Sequence, residues 1–102
     1  MTPPVPGFED EFDFFEAAAS DPATMASYRA WIEEVAAEEV DRLLPGGAPL
    51  DRRLLIEAAM EPFERAFRFY CRHDESSPRD YPFSKYYRWW ARQFATARLH
   101  KG

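Results

Sequence analysis

Apolar residues in this chain recur at helical rather than strand spacing, in stretches separated by strong breakers. Phe8, Phe12 and Phe15 sit three or four residues apart in an acidic, aromatic stretch, which predicts a short helix from Phe8 to about Ala19. Asp21-Pro22 supplies an N-cap with proline at the first helical position, and a second helix should run from there to about Leu44. Met25, Tyr28, Trp31, Ile32, Val35, Val40 and Leu43 fit its inner side, and Glu33, Glu34, Glu38 and Glu39 fit a solvated acidic face. The run Pro45-Gly46-Gly47-Ala48-Pro49 stops it. A third helical pattern spans Asp51 to about Arg72, with Leu54, Leu55, Ala58, Ala59, Phe63, Ala66, Phe67 and Tyr70 as its apolar face. Pro62 lies inside that pattern and predicts a kink or a break, because proline withholds one backbone donor and clashes with the preceding turn. After a polar loop from His73 to Asp80, a fourth helix opens near Pro82.

That last helix divides into two unlike faces at about 100° per residue. Phe83, Tyr87, Trp90, Phe94 and Ala97 follow the spacing of a core face. Lys85, Arg88, Trp89, Arg92, Gln93 and Thr96 fall on the opposite side. A basic stripe carrying an aromatic ring and hydrogen-bonding side chains can hold phosphates, stack on a base and touch base edges. A core helix with a solvated, arginine-rich outer face would show the same periodicity. The expected fold is all-α, a single small bundle of about four helices.

The 102 residues suffice for one modest core, and 46% hydrophobic with 17% aromatic content predicts packing rather than disorder. Residues 1–7 (Met-Thr-Pro-Pro-Val-Pro-Gly) read as a flexible tail, leaving residues 8–102 as one helical domain. Its net charge of −5 conceals a dipole. Residues 1–51 hold 2 basic and 12 acidic side chains, a balance of −10, whereas residues 52–102 hold 11 basic and 6 acidic, a balance of +5. The domain thus has an acidic half, 8–44, and a basic half, 50–102. Screening at physiological salt acts over about 8 Å, so such patches count for more than the sum.

Signals for chemistry are sparse. Cys71 and His73 lie close together, but His100 is the only other histidine and there is no second cysteine, whereas zinc wants four ligands. Glu57, Glu61 and Glu64 share a helix side and suit pairing with Arg53, Arg65 and Arg68 better than acid–base work. Neither a phosphate-cradling glycine loop nor a nucleophile elbow occurs. The expectation is a protein without enzymatic activity, cofactor or metal. No apolar run approaches the roughly 20 residues that span a bilayer, and the N-terminus lacks a basic-then-apolar signal pattern, which predicts a cytoplasmic protein with no membrane partner. The acidic stretch from Phe8 to Glu16 fits best as an amphipathic helix laying its phenylalanines on the bundle. It could also dock on a basic partner, or cover the basic helix of its own chain.

The stretch Tyr81 to Thr96 resembles the second conserved region of primary-type bacterial RNA polymerase sigma factors. That region carries an aromatic residue, Phe-Ser-Thr-Tyr, then Trp-Trp-Ile-Arg-Gln and a threonine three residues later. Here Tyr81, Phe83, Ser84, Lys85, Tyr86, Trp89, Trp90, Ala91, Arg92, Gln93 and Thr96 repeat that spacing. Leu55-Ile56 with Phe63, Ala66, Phe67 and Tyr70 follows the family's preceding helix more weakly. The resemblance implies a fold like the sigma second domain and a helix that recognises and melts the minus-ten promoter element. It implies that Gln93 and Thr96 face the upstream base pair and that Trp89 and Trp90 sit at the fork where the duplex opens. Tyr86, with Tyr81 and Phe83 nearby, would stack on the flipped non-template adenine, and Lys85, Arg88 and Arg92 would contact phosphates. Promoter or single-stranded DNA is the implied partner, bound through the helix 82–98, with the RNA polymerase core as a second one.

Several positions depart from the family. Leu54, Leu55, Ile56, Glu57, Ala58, Ala59 and Met60 stand where sigma factors carry an acidic-Leu-Ile-Gln-Glu-Gly-Asn helix that binds the polymerase clamp, so most of its polar contact residues are absent. Pro62 replaces a glycine and Lys85 a threonine. The 102 residues hold no counterpart of the domain that reads the minus-thirty-five element. The alternative expectation is a helical protein-interaction module, a regulator or decoy in the transcription machinery that does not bind DNA directly.

Overall fold

A computed structural model describes residues 5, 7–44, 49–73 and 82–101. Most of the expected tail, the Pro45–Ala48 breaker and the Asp74–Asp80 loop lie outside the described residues, as does Tyr81. The fold is all-α. Among the described residues there are five helices: α1 (Glu11–Ser20), α2 (Pro22–Leu43), α3 (Pro49–Met60), α4 (Phe63–His73) and α5 (Phe83–Lys101).

Local chemistry explains the boundaries. Asp10 caps α1 by accepting from the Asp13 backbone N–H at 3.0 Å. Asp21 caps α2, accepting from the Thr24 N–H at 3.0 Å and its hydroxyl at 2.6 Å, with Pro22 in the first turn where no donor is needed. These bonds, the Thr24 hydroxyl first, hold the Asp21 carboxyl below its ordinary value. Pro62 breaks the third pattern in two. Residue 62 has no N–H to give to the Ala58 carbonyl, which instead accepts from Glu61 at 3.3 Å. The Pro62 carbonyl accepts from the Ala66 N–H at 2.8 Å and so begins α4.

The core is an aromatic cluster drawn from α1, α2, α4 and α5, with Leu55, Ala59 and Met60 of α3 packed against it. Phe15 of α1 stacks on Phe67 of α4 at 4.5 Å and meets the edge of Tyr70 at 5.2 Å. Phe83 of α5 lies 5.3 Å from Tyr70 and 5.6 Å from Tyr87. Tyr28, Trp31, Ile32, Val35 and Val40 bring in the inner side of α2, and Phe63, Ala66, Phe67 and Tyr70 that of α4, as their spacing predicts. The buried Tyr87 hydroxyl donates to the Ala59 carbonyl at 2.6 Å, tying α5 to α3. Desolvation then drives the Tyr87 phenol well above its ordinary value.

Four expectations are corrected. The buried stripe of α1 is Phe14, Phe15 and Ala18; Phe12 is exposed, and Phe8 precedes the helix and stacks on Phe14 at 4.9 Å. Phe14 and Phe15 both reach the core because α1 lies against two helices, Phe14 meeting Tyr28 and Trp31 of α2 and Phe15 meeting Phe67 of α4. Leu54 of α3 is exposed rather than core. The seam of α5 runs through Phe83, Ser84, Tyr87, Ala91 and Ala95, while Trp90 and Phe94 are half-buried and Ala97 is exposed. Alanines at 91 and 95 let α5 approach α2 and α3 closely, and the bulky rings move to the edge of that contact. Glu39, expected on a solvated face, is buried.

Candidate nucleic-acid interface

The outward face of α5 is a single strip. Trp89 is the most exposed large apolar side chain among the described residues, at 57%. Lys85 lies four residues before it, Arg92 three after and Gln93 four after, so all three flank the ring on one helix face. Lys85, Arg92 and Gln93 are exposed, and Thr96 continues the strip half-buried. From Lys85 to Thr96 the strip measures about 17 Å along the axis, the reach of a few nucleotides.

Not every residue expected at the site lies on this strip. Phe83 is fully inside the core. Tyr86 is half-buried, its ring 5.5 Å from Tyr70 and 6.3 Å from Trp90. Trp90 meets Trp89 edge-on at 5.6 Å and leans on Phe94 at 6.2 Å. Its indole N–H is buried with no hydrogen-bond partner among the described residues. Tyr86, Trp90 and Phe94 therefore form an aromatic shoulder beside the strip, with Phe83 beneath it. The side chains of Cys71 and His73 lie outside the described residues.

Arg88 and Arg92 point back toward α2. The Arg88 side chain is 16% exposed and donates to Glu38 at 2.7 Å, with its other terminal nitrogen 3.7 Å from Glu39. Arg92 is 56% exposed and gives one terminal nitrogen to Glu39 at 3.2 Å. Glu39 also accepts from Arg42 at 2.9 Å. A carboxylate only 1% exposed thus gathers three guanidinium groups, the compensation a buried charge requires. Spacing held a signal for it: Tyr28, Ile32, Val35 and Glu39 share one side of α2, which places a carboxylate at a core position.

The first turn of α5 is held by α1. Glu11 accepts from the Ser84 backbone N–H at 2.7 Å and from its hydroxyl at 2.6 Å. Burial raises the Glu11 carboxyl above its ordinary value, with the two Ser84 bonds and the Arg88 charge opposing that rise. A carboxylate at a helix N-terminus is favoured by the helix dipole.

On the other flank of α5, a cavity of about 370 Å³ opens against α3. It is lined by Leu54, Ala58, Phe94 and Ala97, with Glu57, Glu61 and Arg98. No described helix is long and apolar enough to cross a membrane.

Comparisons with models of known families, with curated proteins and with solved structures find no match. The functional reading rests on the residues of α5 and their surroundings.

Proposed function

We propose that this chain is a sigma-like transcription protein that binds minus-ten-type promoter or single-stranded DNA through α5. The observation that carries it is the exposed Trp89 ring flanked by Lys85, Arg92 and Gln93 on one strip. Stacking of a base on an aromatic ring contributes about 1 to 3 kcal/mol and offsets the few kcal/mol of unstacking a flipped base. Trp89 is the stacking platform, and Tyr86 and Trp90 form the shoulder that a second base would meet. Lys85 and Arg92 hold phosphates, and Gln93 and Thr96 touch base edges. Phe83 anchors the helix in the core. A cytoplasmic location and contact with the RNA polymerase core belong to this role, although α3 lacks most of the polar residues that serve that contact in the family it resembles.

Fluorescence anisotropy with a labelled minus-ten-type single-stranded oligonucleotide tests the proposal. Salt-dependent binding weakened by Trp89→Ala and Arg92→Ala supports it; no binding, or binding indifferent to both substitutions, refutes it. The α3–α5 cavity favours a second reading, a protein-interaction module that takes a partner side chain between Leu54 and Phe94. Recovery of polymerase subunits from extract, insensitive to nuclease and lost on Leu54→Glu, would mark that reading.

A further inference from the structure

The guanidinium fork donates to carboxylate and to phosphate oxygens in the same geometry. Glu38 and Glu39 therefore occupy, on Arg88 and Arg92, the places that backbone phosphates would take. The two carboxylates are not equivalent. Glu39 is sealed in the core, only 1% exposed, and cannot swing into solvent without giving up contacts with three arginines at once. The Glu38 side chain is 32% exposed and can swing into solvent. The arginines differ likewise: Arg92 keeps outward-facing donors while bound to Glu39, whereas Arg88 is nearly covered.

Building on the proposed DNA-binding role of α5, we infer that Glu38 is an internal phosphate mimic that DNA must displace from Arg88. Glu39 is the fixed anchor that keeps both guanidinium groups oriented. Lys85 and Arg92 make the first phosphate contacts, and Arg88 joins only when Glu38 gives way. The α2 carboxylate thus sets the affinity of α5 for DNA, holding it below what its three cations could give.

The test is an anisotropy titration of the full chain with a labelled minus-ten-type single-stranded oligonucleotide at low salt. Glu38→Gln is compared with Glu34→Gln, an equal change of charge at an exposed position of the same helix. Far-UV circular dichroism checks that each variant is folded. Glu38→Gln should bind about three- to tenfold tighter than wild type, and Glu34→Gln less than about twofold tighter. The gain should vanish in the double variant Glu38→Gln/Arg88→Gln, because it passes through Arg88. Equal effects at positions 38 and 34, or a gain that survives loss of Arg88, would overturn the inference while leaving α5 as the DNA-binding element. No binding by wild type or any variant would overturn both. Binding by Glu38→Gln alone would support both.

Discussion

Replacing Glu39 with alanine tests whether the buried carboxylate holds α2 and α5 together. Three effects follow from its surroundings. Truncation removes one buried methylene group, worth about 0.8 kcal/mol. It removes charge-assisted hydrogen bonds from Arg42 and Arg92. It also takes one of the two carboxylates away from Arg88. Breaking a buried pair costs about 3 to 5 kcal/mol where the surviving charge has nowhere to go. Here Arg42 and Arg92 can turn to water and Arg88 keeps Glu38, which moderates the loss. The expected destabilisation is about 3 kcal/mol, a large share of the roughly 5 to 15 kcal/mol available to a small domain. It corresponds to a fall in Tm of about 12 to 24 °C. Urea denaturation followed by far-UV circular dichroism measures it. Glu39→Gln keeps the methylene packing and an oxygen that can still accept from Arg42 and Arg92, so it should lose less, and its loss relative to wild type reports the share of the charge. A loss below about 0.5 kcal/mol for alanine, typical of an ordinary surface site, would refute the anchoring role.

Other substitutions probe the rest of the framework. Phe15→Ala should cost about 3 to 5 kcal/mol in the same denaturation experiment, since its ring joins α1 to the rings of α4 and α5; a small loss would mean that α1 is peripheral. Tyr87→Phe leaves the Ala59 carbonyl without its donor and should cost about 1 to 2 kcal/mol with the helical content unchanged. Glu11→Gln should change the pH dependence in a defined direction. A carboxyl raised above its ordinary 4.5 binds its proton more readily folded than unfolded, so wild type loses stability as pH rises through that interval. Glutamine can still accept from the Ser84 N–H, so the variant should gain stability relative to wild type over the range in which pH rises above 4.5. A relative loss over that range would contradict the assignment.

Much of this framework was legible in the chain. The Asp21 cap, the break at Pro62 and the inward face of α4 follow from local chemistry and period alone. The outward strip of Lys85, Trp89, Arg92 and Gln93 was legible too, because its members repeat at helical spacing. Trp90 and Phe94 were misplaced because a hydrophobic period weighs residues by apolarity, whereas close helix contact selects small ones such as Ala91 and Ala95. The pairing of Arg88 with Glu38 and of Arg92 with Glu39 joins residues 50 and 53 positions apart, and no periodicity encodes such a partner. What periodicity did contain was a glutamate in line with Tyr28, Ile32 and Val35. A charge on an apolar face calls for a cation elsewhere in the fold, and α5 supplies two one turn apart.

The proposal that α5 binds single-stranded DNA is tested most directly by the salt dependence of anisotropy titrations with the minus-ten-type oligonucleotide. Phosphate contacts from Lys85 and Arg92, with Arg88 as a third where Glu38 gives way, predict a slope of log K against log salt of about −1.4 to −2, at roughly −0.7 per contact on a single strand. Trp89→Ala should keep that slope and lower affinity by about 5- to 150-fold, with the fold intact. A slope near zero, or full affinity without Trp89, would contradict α5 as the DNA-binding element.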